Sequence, residues 1–271
     1  MPIATRSCND ERVPIGAWWR DLAYRARSRM RWAPAPWPHR LRPVARDLRA
    51  TSAAARARVE ALGREHAAIT GWSRWLEPIE VQEALYVLDT LSAIVPRALT
   101  GARAALDVGS NNATHLPALH ALAPCPWTLV EIDSHRRYWN LVTRRSRGEQ
   151  IARAHAGCRY IAGSVRDLCA DDQRFDIITW TLPFVFEGTL AAWGLPQRFF
   201  EPVALLAHVL SLLSSSGALV IINQSEYERD EQRHLLNVAG VAGERIAAFG
   251  PLDSPLSSFR HQRWAFRVSG T

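Results

Sequence analysis

From residue 104 onward, short apolar runs alternate with longer amphipathic stretches, and that alternation leaves the chain few folds to choose from. The runs are AALDV (104–108), WTLVEI (127–132), RYIAG (159–163), FDIITW (175–180) and ALVIIN (218–223). Each has the length and the β-branched or aromatic content of a buried strand. Helical spacing fills the intervals around 134–147 and 197–213, and returns at 226–239. A helix between two strands carries the chain back across a face of the sheet, so the strands run parallel and both faces are covered. The last pair, RIAAF (245–249) and RWAFRV (263–268), is joined by a segment holding Gly250, Pro251 and Pro255 without helical spacing. This predicts an antiparallel hairpin at the sheet edge. The expected fold is therefore α/β, with a seven-stranded, mostly parallel sheet.

The first part of the chain has a different character. GAWWRDLAYRARSRMRW (16–32) puts Trp18, Trp19, Leu22, Ala26 and Met30 on one helical stripe, with Arg20, Arg27 and Arg31 off it. The prolines of APAPWPHRLRP (33–43) end that helix. Residues 44–68 read as a second helix and EPIEVQEALYVLDTLSAIV (77–95) as a third, with Val81, Leu85, Leu88, Leu91 and Val95 at helical spacing. The predicted division is a helical extension or lid over 1–98 and a sheet domain over 99–271.

Charge follows the same division. All 33 basic residues are arginine; residues 1–64 carry a net +9 and residues 65–271 a net −2. Where Trp and Arg interleave, over 16–49, two readings arise. In the preferred one the Trp stripe packs on the sheet domain and the arginines face water. In the other, the segment meets an anionic partner: a membrane surface, an acidic carrier protein or RNA. Cys8, Cys125, Cys158 and Cys169 show no C-x-x-C spacing, so reduced thiols in a cytoplasmic protein are expected. The basic segment leaves peripheral contact with the inner membrane open. No H-E-x-x-H and no H-x-E with C-x-x-C occurs, which disfavours a metal site. No secretion signal or run of about 18 apolar residues is seen.

Open parallel sheets bind ligands at the carboxyl ends of their strands. The turn after the first strand, in AALDVGSNNATHLPAL (104–119), is therefore the place to look. It holds Asp107 two residues before Gly109, followed by Ser110, Asn111, Asn112 and Ala113. Nicotinamide dinucleotides want G-x-G-x-x-G there. Asp107 would also repel a diphosphate and suits a ligand with an ammonium or sulfonium centre.

These residues carry a resemblance. LDVGSNNATHLPAL resembles motif I of class I S-adenosylmethionine-dependent methyltransferases; TLVEIDS looks like their second motif, YIAGSVRDL their third and RFDIITWTLPFVF their fourth. The order and spacing agree over about residues 100–268. Asn111 and Ala113 stand where that motif has glycine, and Ser164 where an acid that meets the adenine amino group is common. The resemblance implies a Rossmann-like fold, S-adenosyl-L-methionine as cofactor, and a cofactor site of Asp107, Gly109, Ser110, Asn111, Glu131, Ile132, Ser164, Val165 and Thr179. Glu131 has two oxygens to accept from both ribose hydroxyls. Asp133 reads as the cap of the following helix, Asp167 as a surface acid and Asp176 as structural.

In this fold the fourth-strand loop, TWTLPFVFEG (179–188), lies beside the transferred methyl. Trp180 and Phe184 are wall candidates, and Trp72 and Trp75 of GWSRWLEP (71–78) are candidates for the inner edge of the lid. The loop lacks the Asn/Asp-Pro-Pro-Tyr/Phe signature of amino methylation on bases and glutamine. His115, Glu187 and Tyr227 are the candidate bases, and His208 reads as a packing residue. The expected function is in-line methyl transfer to a small-molecule or carrier- or lipid-linked acceptor. The alternatives are an aminopropyltransferase-like enzyme, an inactive binding module, or an RNA methyltransferase that uses the basic N-terminus.

Overall fold

The computed structural model describes residues 15–29, 52–96, 99, 101–135, 142–169, 173–257 and 262–271. Five strands run parallel: β1 (Ala105–Val108), β2 (Trp127–Glu131), β3 (Arg159–Ala162), β4 (Phe175–Thr181) and β5 (Leu213–Asn223). Two more, β6 (Ile246–Leu252) and β7 (Arg263–Ser269), complete the order β3-β2-β1-β4-β5-β7-β6. The edge hairpin is the expected one, with β7 antiparallel to both β5 and β6. The sheet is thus the Rossmann-like, mostly parallel one that the resemblance implied. Strand order reverses between β1 and β4, and the crevice at that switch is where a ligand site belongs.

β5 begins earlier than the apolar run suggested, taking in the serines and Gly217. Glycine is needed there because a Cβ on Gly217 would lie 2.9 Å from the Asp176 carbonyl oxygen. Asp176 ties the strand starts together, accepting from Arg103 N–H (2.9 Å) and Ser214 Oγ–H (2.8 Å).

Alternation along each strand separates two cores. On one face, Ala105, Trp127, Leu129, Ile177, Val220 and Ile222 share a cluster with α2 (Ala53–Glu65), the 3-10 turn Ala67–Arg74, α3 (Pro78–Ile94) and α4 (Leu116–Leu122). On the other, Leu106, Val108, Val130, Ile178, Ile221 and Phe266 meet α7 (Pro202–Ser211) and α8 (Glu226–Val238). α3 starts with Pro78 in its first turn and a capping box, in which the Glu77 backbone N–H donates to Glu80 Oε2 (2.7 Å). Its Leu85, Leu88 and Leu91 are fully buried, each worth roughly 1.5–3 kcal/mol. α3 thereby forms a layer of the sheet core, and its side chains reach the strand ends.

Two helical expectations change. The helix placed at 134–147 is α5 (Arg144–Arg153), capped by Thr143, whose Oγ1 accepts from Ser146 N–H at 3.1 Å. Asp133 does not cap it, because its carboxylate is turned to the Arg144 guanidinium. In α1 (Ile15–Arg29) the Trp stripe does not pack: Trp18 and Trp19 are 54% and 57% exposed. Instead Tyr24 faces inward, its hydroxyl donating to the Ile132 carbonyl (3.0 Å) and its ring edge-on to Phe199 (5.1 Å). Asp21 pairs with Arg198. What α1 meets is a carbonyl, a guanidinium and an aromatic edge, which suit Tyr and Asp better than indole. Met30, the connector at 33–43 and the start of the expected second helix, residues 44–51, lie outside the described residues. Cys125, Cys158 and Cys169 are free thiols, and no described helix is long and apolar enough to cross a membrane.

Candidate functional site

A cavity of about 390 Å³ opens at the carboxyl ends of β1, β2, β4 and β5 and is closed by α3 on one side and α8 on the other. That volume is in the range of small-ligand sites.

The turn after β1 forms one wall. Gly109 has φ +72°, and a Cβ added there would meet nothing within 4 Å, so it would project into open space beside the cavity. Asn111 (φ 54°) and Ala113 (φ 63°) keep the left-handed backbone although they lack the freedom of glycine. For ordinary side chains such a conformation costs roughly 1–2 kcal/mol, and Asn tolerates it best. The loop is held by bonds from Gly109 N–H and Ser110 N–H to the Val130 carbonyl (2.9 and 3.2 Å) and from Tyr160 Oη–H to the Asn111 carbonyl (2.8 Å). Asp107 is 2% exposed and lies behind this turn. Its Oδ1 accepts from Thr179 Oγ1–H (2.7 Å), whereas its Oδ2 has no partner, as is true of Ser110 Oγ and Asn111 Oδ1. Burial pushes the Asp107 carboxyl up to about 6, against the opposing pull of His115 and Thr179. Thr179 and Ser110 therefore support the turn from behind, and Gly109 and Asn111 face the cavity.

The end of β2 forms the second wall. Glu131 is 5% exposed and accepts from the backbone N–H groups of Asp133 (2.6 Å) and Asn111. A carboxylate has about four acceptor sites, so roughly two remain for a ligand. Burial raises its carboxyl to about 7, with those N–H groups pulling the other way. Asp133 and Arg144 form a buried ion pair at 3.3 Å, and the Arg144 guanidinium lies 5.2 Å from the Trp193 ring centroid. Ile132, Ser164 and Val165 line the same wall. Ser164 caps the 3-10 turn Val165–Asp167, and Asp167, the exposed surface acid expected, accepts from Ser164 N–H.

The third region lies under β4. Leu182 takes φ 57°, a genuine outlier for a bulky residue, and turns the chain so that Trp180, Pro183 and Phe184 reach the cavity. Phe184 packs edge-on to Trp193 (6.1 Å) on α6 (Glu187–Ala192) and its C-terminal turn. Facing them are Glu83 and Tyr86 of α3, His115, Glu228 of α8 and Arg263 of β7. His115 Nε2 lies 3.6 Å from Glu83 Oε1.

The remaining candidates sit elsewhere. Trp72 is 3% exposed inside the α2–α3 core, and Trp75 packs against that core with its ring 6.4 Å from His155. Neither lines the cavity; both indoles belong to the core on the other side of the 3-10 turn. Glu187 is exposed in the first turn of α6, where its charge suits the helix N-terminus. Tyr227 is 75% exposed and stacks on Phe186 at 5.1 Å. His208 bonds the Val165 carbonyl (3.0 Å), a packing role. Sequence reasoning missed Glu83, Tyr86, Arg144, Trp193, Phe199 and Arg263. A signal existed for Glu83 alone: a charge inside the apolar run of α3, which burial penalises unless it has work to do.

Gly109→Ala tests the first wall. The methyl group takes a φ that costs roughly 1–2 kcal/mol, a loss the fold survives, and it projects beside the cavity. A tenfold or greater loss of ligand affinity by calorimetry is expected, whereas Asn111→Gly should leave affinity within a factor of about three. Equal affinity in Gly109→Ala and wild type would remove that turn from the site.

No protein-family model matches the chain, and no curated protein matches it. Solved structures with a similar fold include the plantazolicin methyltransferase BpumL in complex with SAH, 13% identical with a TM-score of 0.46, covering 82% of this chain and 92% of that one. Another is the CurJ carbon methyltransferase, 13% identical with a TM-score of 0.46, covering 80% and 68%. A third is a TehB-like SAM-dependent methyltransferase from Corynebacterium glutamicum, 18% identical with a TM-score of 0.42, covering 69% and 88%.

Proposed function

We propose that the chain is an S-adenosylmethionine-dependent methyltransferase acting on a small-molecule acceptor. The observation that carries this reading is two buried acids at the ends of neighbouring strands: Glu131, which lines the cavity with acceptor sites left over, and Asp107, which lies behind the cavity-facing Gly109 turn with its Oδ2 unpartnered. The donor set fits the cofactor at both ends. Acceptors at Glu131 suit two ribose hydroxyls, and an anionic turn with an open glycine suits an amino-acid ammonium and excludes a diphosphate. Val165 and Ile132 offer apolar contact for a purine.

When bound, the cofactor supplies a methyl group already activated on a positive sulfur, so the protein's task is alignment and exclusion of water. Trp180, Phe184 and Phe199 give the acceptor an apolar wall. α1 acts as part of a lid, since Tyr24 closes on the Ile132 carbonyl beside Glu131. Free thiols fit a reducing compartment. The enclosed aromatic cavity favours a small acceptor over a polynucleotide.

Calorimetric titration with S-adenosylhomocysteine and S-adenosylmethionine tests the reading. Micromolar affinity for both is expected, with one site per chain. Absence of binding at millimolar concentration would overturn it.

A further inference from the structure

The acceptor side of the cavity contains a charged group that alignment alone does not need. His115 follows the β1 turn and is the last residue before α4. Its Nε2 is sealed from solvent, 3.6 Å from Glu83 Oε1, and its side chain is 12% exposed. Both residues line the cavity, together with Tyr86 of α3, Glu228 of α8 and Arg263 of β7. Asp107 of β1 lies behind. A histidine backed by a carboxylate in an apolar-walled cavity is arranged to gain a proton, because the carboxylate stabilises the imidazolium as it forms.

Resting on the methyltransferase reading, we infer that the acceptor is a small apolar molecule bearing a hydroxyl group, and that His115, positioned by Glu83, takes the hydroxyl proton. A hydroxyl is the acceptor that most needs this help, since its oxygen is a weak nucleophile until the proton leaves. The bonds balance. The O–H bond breaks and its electron pair stays on oxygen, while the proton goes to the imidazole Nδ1, the ring nitrogen that does not face Glu83. The new C–O bond forms as the methyl–sulfur bond breaks, and that electron pair stays on sulfur and neutralises its charge. Arg263 supplies positive charge to the same corner and favours the oxyanion that develops. Trp180, Phe184, Phe199 and Leu205 form the apolar wall that such a molecule would cover.

Burial disfavours a proton on His115, as does Arg263; Glu83 and Asp107 together outweigh them, and the net direction is upward. His115 is therefore a competent base above its raised value, and transfer should increase with pH through that range. With Glu83→Gln the inflection should move downward and the proton affinity should fall.

The test uses 4-nitrophenol, whose ionised form absorbs in the visible. Wild-type protein loaded with S-adenosylhomocysteine is titrated with the phenol at a series of pH values on both sides of the raised His115 range, and the phenolate fraction of the bound phenol is compared with that of the free phenol at each pH. The bound phenol is expected to show the phenolate band in excess of the free phenol. His115→Asn should abolish the excess, and Glu83→Gln should reduce it several-fold, with S-adenosylhomocysteine affinity kept within about threefold in both. If His115→Asn fails to fold, Glu83→Gln decides the matter. Phenol that does not bind, that binds in its neutral form, or that keeps its full excess in the variants would overturn the inference. Loss of S-adenosylhomocysteine binding by the wild type would instead overturn the cofactor reading, so the two failures are distinguishable.

Discussion

Glu131→Ala should weaken S-adenosylhomocysteine binding 10- to 100-fold or more. Hydrogen bonds to a charged group are worth roughly 1.5–3 kcal/mol each, and about 1.4 kcal/mol is tenfold in affinity. The same change also frees the backbone N–H groups of Asp133 and Asn111, which Glu131 now satisfies. The turn after β1 should therefore loosen together with the ribose site. Glu131→Gln should fall between alanine and wild type, because an amide offers one oxygen where two N–H donors and two hydroxyls compete. Asp133→Ala should behave differently. Its carboxylate pairs with the buried Arg144, and removing one partner of a buried pair costs up to roughly 3–5 kcal/mol of stability. The Asp133 variant should lose melting temperature first and affinity second. Calorimetry with thermal melts on the three variants separates these effects. If Asp133→Ala lost the ligand at full stability while Glu131→Ala kept it, the ribose would be held two residues further along.

The sheet was legible because a buried parallel strand has one readable property, a continuous apolar run. Ala105–Val108 and Phe175–Thr181 show it at their observed places. The start of β5 was hidden because serines rarely announce a strand; they lie in an irregular stretch between the Leu213 and Ala218 pairings with β4, where Gly217 lets the Asp176 carbonyl close in. The Gly109 turn and Glu131 were legible as residues with a position, at the ends of strands. Of the acceptor side, Trp180, Phe184 and His115 were legible and line the cavity, but the rest was not. Arg144, Arg263 and Phe199 come from α5, β7 and the approach to α7, and nothing local in the sequence marks that those elements meet. The two indoles at 72 and 75 misled for the complementary reason: a tryptophan near a proline reads equally well as a pocket wall or as core, and here the 3-10 turn sends both to the core side.

The ligand-free protein should lose stability as pH rises from about 4 to 7, opposite to the usual behaviour of carboxylates. Burial raises Asp107 from 3.8 to about 6 and Glu131 from 4.5 to about 7. In the unfolded chain both acids release their protons at the lower values. Between the lower and higher values the folded state holds more protons, so each step up in pH favours unfolding. The loss is complete above about pH 7, at an upper estimate of about 3 kcal/mol per group. Raised His115 adds to the trend, since the stability from its proton is present below its ordinary value and lost as pH rises through the raised one. The lowered Asp176 and Glu83 oppose the trend at lower pH, through their own ranges, and the lowered His120 and His135 oppose it below the ordinary histidine value; the two deeply buried acids carry the larger shifts and set the sign. Melting temperature should therefore fall by several degrees between pH 4.5 and 7.5, and the fall should be smaller in Glu131→Gln and Asp107→Asn. At pH 7.5 both variants should melt above the wild type when ligand is absent, having exchanged a buried charge for an amide. The ligand reverses the order. An ammonium near Asp107 and hydroxyl donors at Glu131 favour the ionised acids, so wild-type affinity for S-adenosylhomocysteine should rise with pH over the interval in which the ligand-free protein weakens. Thermal melts and titrations at pH 5, 6, 7 and 8 measure both slopes. A ligand-free melting temperature that climbs through this window in the wild type, or variants that melt below it at pH 7.5, would mean that the two acids are already ionised and compensated without a ligand. Their role as waiting charges at the site would then be untenable.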